Sequence, residues 1–528
     1  MIARAAPSLK APRRVISLRR QADNGRHRGG RMASAVTANI ARHAARTPGR
    51  AALIVGRDRL AWRDLSALVE RLAARIAART PAGAGVALHL PNGPALALLF
   101  LAVARAGRAA QVLDPAWPAA LTRRTLTALR PAMIVTADPS LAARRNAVVL
   151  AAALPFARVA AALGAPARYA PTGQPDGGLP FYVGFTSGST GTPKGYRRDH
   201  RSWVESFRGD AVEFGLGPND VVLAPGALAH SLFLYAMVHG LHAGATVVLC
   251  RRFRPAAIPA LIRRHGVSVV YGVPTHLRLI LAAGARARPL TSVRWVLSSG
   301  AKWFADALPG LRRLFPAARF AEFYGASELS FVAVAKDGER VPPGSVGRAF
   351  PGVTLSIRDR AGRRLPPGRV GRVFVASALV FSGYAVGGED DLYRAGNAVS
   401  VGDRGRLDAN GFLYLEGREK RMIVTSGKNI FPEEIERALE THPSVAAAAV
   451  LALPDAKRGE RMVALVLPRH AAGARPAKLI AHLRRALPLY KVPRVYAAVR
   501  AWPRTLSGKS DFAALDRLWR AGACEHLT

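Results

Sequence analysis

Apolar positions along the chain follow two alternating rhythms. The stretch WRDLSALVERLAARIAA spaces Leu65, Val69, Leu72 and Ile76 three or four residues apart, which predicts a helix with one buried face. Beyond it GVALHL, PALALLFLAVARAG and AAQVLD read as strand, helix and strand. Short apolar runs of the same kind recur in ATVVLC, VSVVYGVP, VRWVLSSG and ARFAEFYG. Strands of this texture, separated by helical segments, predict a parallel sheet covered by helices. Between about 331 and 416 the texture shifts to short strands and turns (VTLSIRD, GRVFVAS, RGRLDANGFLYLEG), with Asn410-Gly411 as a hairpin signal. After Gly417 a compact pattern of helices and strands follows in PEEIERALE, SVAAAAVLALP, RMVALVLP and AKLIAHLRRAL. The expected fold class is α/β. A large N-terminal domain (34–418) has parallel-rich, helix-covered sheets and a β-rich subdomain, and a small α+β C-terminal domain covers 419–528. No internal repeat of solenoid period is visible.

Length and composition support that division, since 528 residues, half of them apolar, exceed what one core holds. No apolar run reaches membrane-spanning length. The nearest, Pro94 to Ala104, stops at Arg105 and reads as a buried helix. Cys250 and Cys524 make no disulfide framework and are expected to be inert thiols in a reducing, cytoplasmic setting. The net charge of +43 invites a nucleic-acid reading. The basic residues are spread along the whole chain without aromatic interleaving, so no specific nucleic-acid partner is expected. Residues 1–31 hold nine basic side chains and one acid, Asp23, without apolar periodicity. They read as a basic disordered tail (1–33), or as sequence upstream of a start at Met32.

The chain writes nearly all its positive charge as arginine, with only ten lysines among 77 basic residues. One of the ten, Lys194, closes FTSGSTGTPKG, where Thr186, Ser187, Ser189 and Thr190 supply hydroxyls and Gly188 and Gly191 free the backbone to turn. Hydroxyls, flexible N–H groups and one ammonium suit a phosphate. A Walker-type P-loop is excluded: the two glycines are too close, Pro193 precedes the lysine and Gly195 replaces the metal-binding hydroxyl. A plain linker does not sit between an apolar strand and a structured segment.

FTSGSTGTPKGYRRDH resembles the phosphate-loop signature of the ATP-dependent adenylate-forming superfamily, which includes acyl-CoA synthetases, adenylation domains and luciferases. EFYGASE, GDRGRLDANGFLYLEGREKRMIVTSGKNIFPEEIE and PRTLSGKSDF resemble its later motifs in order and spacing, over roughly residues 36–515. The resemblance implies attack of a carboxylate on the α-phosphorus of ATP, giving acyl-AMP and pyrophosphate, then transfer to a thiol. It implies that Lys509 bridges carboxylate and α-phosphate, and that Lys194 and the loop residues Thr186 to Gly191 hold the outer phosphates. Glu328 would hold Mg²⁺ and Tyr324, with Gly325, would stack on adenine. Ser327 would touch the α-phosphate, Gly300 and Ala301 would admit adenine and acyl chain, and Asp403 and Arg418 would take the ribose. Lys420 falls at the hinge that would make the small C-terminal domain mobile, and His230 at the acyl gate. Val401 departs from the pattern, standing where the family usually has Thr.

The segments expected around the acyl pocket are mainly apolar and offer no Asp for an amino-acid ammonium. A fatty acid is therefore expected, with an aromatic acid as the alternative. CoA is the expected acceptor, and the phosphopantetheine of an acyl carrier protein is the other. A non-catalytic nucleotide sensor would be expected to lack Lys509 or Glu328, and both are present.

Overall fold

The computed structural model describes residues 35–164, 173–186, 193–284, 287–300, 307–389, 392–425, 428–455, 459–470, 474–505 and 509–527. Three sheets carry the described fold. The largest begins as a parallel block, in which Ala51–Val55, Thr246–Leu249, Val221–Ala224, Val269–Gly272, Trp295–Ser299 and Arg319–Ala326 pair in that order. Their near-continuous apolar runs fit burial on both faces. At Arg319–Ala326 the sheet changes sense, and Ser330–Lys336, Ser345–Ala349, Phe412–Arg418 and Asp403–Leu407 follow as antiparallel neighbours. The Asn410-Gly411 signal marks a real hairpin, but with residues 408–411 forming the connection. Asp408 Oδ1 accepts from the backbone N–H groups of Asn410 and Phe412, each at 2.9 Å, and Gly411 takes φ +78°.

In the second sheet Pro180–Thr186, Ala109–Val112, Gly85–His89, Met133–Thr136 and Ala147–Val149 run parallel. Lys194–Asp199 and Gly383–Val386 add an antiparallel edge. Helix Pro94–Arg105 is buried from Pro94 to Ala104, as a helix apolar all round must be. Helix Trp62–Ala77 packs on it and buries Leu65, Val69, Leu72 and Ile76. The third sheet belongs to the small C-terminal domain. A long hairpin, Val445–Asp455 with Gly459–Pro468, pairs with Val495–Ala498, and helices Pro432–Glu440, Pro476–Ala486 and Phe512–Arg520 contribute to two local cores. The α/β class, with a large N-terminal part and a small C-terminal domain, is as the sequence led us to expect. Among the described residues no helix is long and apolar enough to cross a membrane.

This topology fixes where chemistry collects. Thr186 ends a parallel strand of the second sheet, while Ser299 and Ala326 end parallel strands of the first. Crevices at the carboxyl ends of parallel strands are the usual ligand sites of such sheets.

Candidate active site

Thr186 and Lys194 face each other across the hairpin that closes the hydroxyl-rich loop, with Phe185 opposite Gly195 behind them. Ser187, Gly188, Ser189, Thr190 and Gly191 lie outside the described residues, as does Ala301. Behind the loop Tyr182 and Tyr196 join hydroxyls at 2.9 Å in the core. Gly184 makes room for both, since a Cβ there would stand 2.1 and 2.2 Å from the two oxygens. The Tyr196 hydroxyl also lies near Ser231 and Ser327, whose own Oγ atoms are 3.3 Å apart. Ser327, expected at the α-phosphate, is thus tied to the strand that leaves the phosphate loop.

Asp403 and Arg418 are direct partners in antiparallel register. Arg418 Nε donates to Asp403 Oδ1 at 3.1 Å, and the Tyr324 hydroxyl donates to Asp403 Oδ2. Asp403 is buried. Burial first and Asp403 second push the Tyr324 phenol well above its usual range, so it remains a donor. Asp403 in turn raises Arg418. The neighbouring Gly325 is required by backbone approach: a Cβ there would stand 2.2 Å from the Ser330 carbonyl oxygen.

Glu328 is also buried. Its Oε1 accepts from the Tyr384 hydroxyl at 3.1 Å, and desolvation raises its pKa against that bond and the Arg418 charge. The peptide carrying it is held from below by Arg198, 1 % exposed. Arg198 donates to the carbonyls of Ser327 and Glu328 at 3.3 Å and of Leu379 at 2.6 Å. Burial brings this guanidinium down to about 10.

Lys509 arrives from the small domain. Its loop is closed by Thr505 N–H to the Lys509 carbonyl at 2.7 Å, Trp502 Nε1 to Ser510 Oγ at 2.9 Å, and Asp511 N–H to the Pro503 carbonyl at 3.0 Å. Asp511 then caps helix Phe512–Arg520 by accepting from Ala514 N–H at 2.9 Å. The Lys509 Cε lies 3.6 Å from where a Gly300 Cβ would be, and Gly300 holds φ +93°. The side chain keeps exposed surface, yet enough protein surrounds the ammonium that desolvation, then Arg418, lower its pKa while Asp403 and Glu328 oppose them. The expected catalytic lysine, ribose acid and metal acid therefore lie close enough to act on one another's charge.

Lys420 is the middle of a short 3₁₀ turn, Glu419–Arg421. On one side Glu419 pairs with Arg372 at 2.8 Å and its N–H donates to the Gly402 carbonyl at 2.9 Å. On the other, Arg421 pairs with Glu436 at 2.6 Å and Glu433 at 3.1 Å. Each neighbour of Lys420 is anchored to its own side of the turn, leaving Lys420 as the junction. His230, expected at the acyl gate, precedes helix Ser231–Ala243. His276 is stacked on Phe253 (4.1 Å between ring centres) and Phe233 (5.3 Å). Burial, then His230, lower His276 to about 4.

Arg198, Tyr196 and Tyr384 were not singled out from sequence. Arg198 is one of many arginines, and its role follows only from contacts more than a hundred residues away in the chain. No grouping of three or more His, Cys, Asp or Glu able to cage a metal occurs among the described residues. A single buried carboxylate beside anionic phosphates suits Mg²⁺, which favours one or two carboxylates plus phosphates and water over a protein cage, and Glu328 fits that part.

The AMP-binding enzyme model matches residues 40–385, and the model of the AMP-binding enzyme C-terminal domain matches 434–509. An uncharacterized acyl-CoA ligase of Bacillus subtilis, YhfT, is 38 % identical over 468 residues, covering 88 % of this chain and 94 % of that protein. A sulfoacetate–CoA ligase of Cupriavidus necator is 32 % identical over 453 residues, covering 82 % and 87 %. Among solved structures, ATP-bound MatB from Rhodopseudomonas palustris superposes with TM-score 0.83 at 26 % identity, covering 93 % of this chain and 99 % of that one. The chain belongs to the AMP-binding enzymes of the adenylate-forming superfamily, with Lys509 at the end of that family's C-terminal domain.

Proposed function

We propose that this AMP-forming acid–thiol ligase activates a fatty acid with ATP and passes the acyl group to CoA. The observation that carries the reading is the meeting of Lys509, Asp403, Arg418 and Glu328 beside Gly300. In the first half-reaction a carboxylate oxygen attacks the α-phosphorus and the bond to the bridging oxygen breaks, so that pyrophosphate leaves. Two anions must approach, and fixed positive charge at the reacting phosphorus lowers that barrier. Lys509 supplies a compact ammonium between two oxygen groups, which a planar guanidinium does less well. Asp403 accepts the ribose hydroxyls and Tyr324 lies against the adenine. Lys194, Thr186 and the loop between them hold the outer phosphates. Glu328 would hold Mg²⁺, which supplies charge neutralisation on those phosphates when bound. The desolvation that lowers the Lys509 pKa also leaves its charge less screened, so that a phosphate feels it more strongly.

In the second half-reaction the small domain turns about Lys420, Lys509 withdraws, and the CoA sulfur attacks the acyl carbonyl while AMP leaves. The anchoring of Glu419 and Arg421 on opposite sides of Lys420 supports a hinge there. The aromatic surroundings of Phe233 and Phe253 support an apolar acid, fatty before aromatic. The sulfoacetate ligase among the relatives marks a small polar acid as the contrasting possibility. A panel of fatty, aromatic and small polar acids, assayed for AMP release with CoA and with a phosphopantetheinylated carrier protein, tests both choices. Highest kcat/KM for a fatty acid with free CoA is expected. AMP release only with the carrier protein would overturn the acceptor, and preference for a polar acid would overturn the substrate class.

A further inference from the structure

A second pocket, of about 440 Å³, opens along strand Ala51–Val55 near one edge of the large sheet. Its floor includes Ala51, Val221 and Thr246, which begin their strands, and Ile54. Gly56 and Arg57 lie beyond the carboxyl end of Ala51–Val55, four strands across the sheet from Trp295–Ser299 and so roughly 19 Å from Gly300, while Val221 and Thr246 start their strands at the end opposite to Gly300. This pocket is therefore separate from the nucleotide cleft.

Its walls are basic. Arg57 and Arg59 come from the hairpin joining Ala51–Val55 to Asp58–Ala61, and Arg264 and His265 from the end of helix Ile258–His265. Arg50 completes the rim, with its guanidinium committed to the carbonyls of Pro218 and Gly244. In a chain this rich in arginine, basic residues beside a groove are unremarkable. What sets this group apart is that one concave surface gathers several of them with no acid in its lining. No carboxylate lines the pocket, and the two acids next to it in sequence are engaged elsewhere. Asp58 pairs with Arg251 at 2.8 Å, and Asp220 takes Arg294, Ser268 and the Gly217 N–H. Among the described residues Arg57, Arg59 and Arg264 have no carboxylate partner. Three uncompensated guanidiniums around a concave surface make a fork-like receiver for phosphate oxygens. The groove is open to solvent, with Ile54 and Val221 as an apolar floor beside the guanidiniums.

We propose that this pocket binds a small phosphate-type dianion or polyanion, as a site distinct from the catalytic cleft and additional to the ligase reaction. The test uses the full chain saturated with α,β-methylene-ATP, so that the catalytic phosphate positions are filled. Pyrophosphate and adenosine 3′,5′-bisphosphate are titrated separately by calorimetry. About one equivalent of at least one of them should bind. The combined Arg57→Gln, Arg59→Gln, Arg264→Gln variant should weaken that binding at least tenfold while ATP–pyrophosphate exchange remains. Removing three exposed charges elsewhere (Arg145→Gln, Arg158→Gln, Arg369→Gln) should leave binding within twofold. Tighter binding of the bisphosphate identifies a nucleotide as the source, and tighter binding of pyrophosphate an inorganic anion; either order supports the site. No binding by the saturated protein, binding that the Arg57→Gln, Arg59→Gln, Arg264→Gln variant leaves unchanged (as expected of a bisphosphate held at the CoA site), or equal weakening in both triple variants, overturns it.

Discussion

Replacing Asp403 by asparagine tests the ribose contact with least change of shape. The carboxylate has about four lone-pair directions, and Tyr324 and Arg418 use one on each oxygen. Two remain for the ribose hydroxyls. Asparagine keeps one acceptor oxygen and turns the other into a donor, so at least one hydroxyl loses a charge-assisted bond. Such a bond contributes about 1.5–3 kcal/mol, which is about a ten- to 150-fold loss of ATP affinity. Calorimetry with ATP and 2′-deoxy-ATP on both proteins separates this contact from a general electrostatic effect. Removal of the 2′-hydroxyl should cost the parent protein about tenfold or more and the variant much less, because the partner is already impaired. Thermal melts of both proteins check that the buried site remains folded. Equal sensitivity of the two proteins to the missing hydroxyl, or unchanged ATP affinity in the variant, would refute the assignment.

In the proposed role Lys509 acts protonated, and its pKa is lowered; the exchange rate should therefore fall on the alkaline side at lower pH than a free lysine would titrate. Lys509→Arg should remove that limb from the same range at reduced rate, and an unchanged limb would disconnect it from Lys509. His200 and His242 are held neutral, brought down by burial to about 3 and about 4. The unfolded chain protonates them below about pH 6.5, so unfolding takes up protons. Each should cost about 1.4 kcal/mol of stability per pH unit as pH falls from about 6.5 towards those values. Urea melts of the parent and His200→Gln should show a shallower acid slope in the variant, and identical slopes would contradict this. Arg198→Met leaves three carbonyls without their donor and should lower stability by about 3 kcal/mol, with weaker ATP·Mg²⁺ binding through the loosened Glu328 peptide. Unchanged nucleotide binding in that variant would show that the Glu328 position does not depend on Arg198.

How much the sequence reveals follows the range of each interaction. Helix Pro94–Arg105 and the apolar strands are legible because period and run length are local properties. The loop ends at Thr186 and Lys194, and the pair Asp403–Arg418, were legible through motifs whose residues lie close together in sequence. The Tyr384 contact to Glu328 spans 56 residues, and the Arg198 contact to Leu379 spans 181. No periodicity encodes either. The arginine content hides Arg198 further, because its chemical signal repeats throughout the chain. Lys509 was legible as a motif residue, but its approach to Gly300 depends on how the small domain docks.

The central claim is that one mobile ammonium serves adenylation and then leaves. The direct measurement compares both half-reactions in Lys509→Ala: acid-dependent ATP–pyrophosphate exchange, and thioester formation from CoA and synthetic acyl-AMP. Exchange should fall by at least a hundredfold, about 2.7 kcal/mol of transition-state stabilisation, while thioester formation stays within a few fold of the parent. Retained exchange, or equal loss of both reactions, would contradict the account.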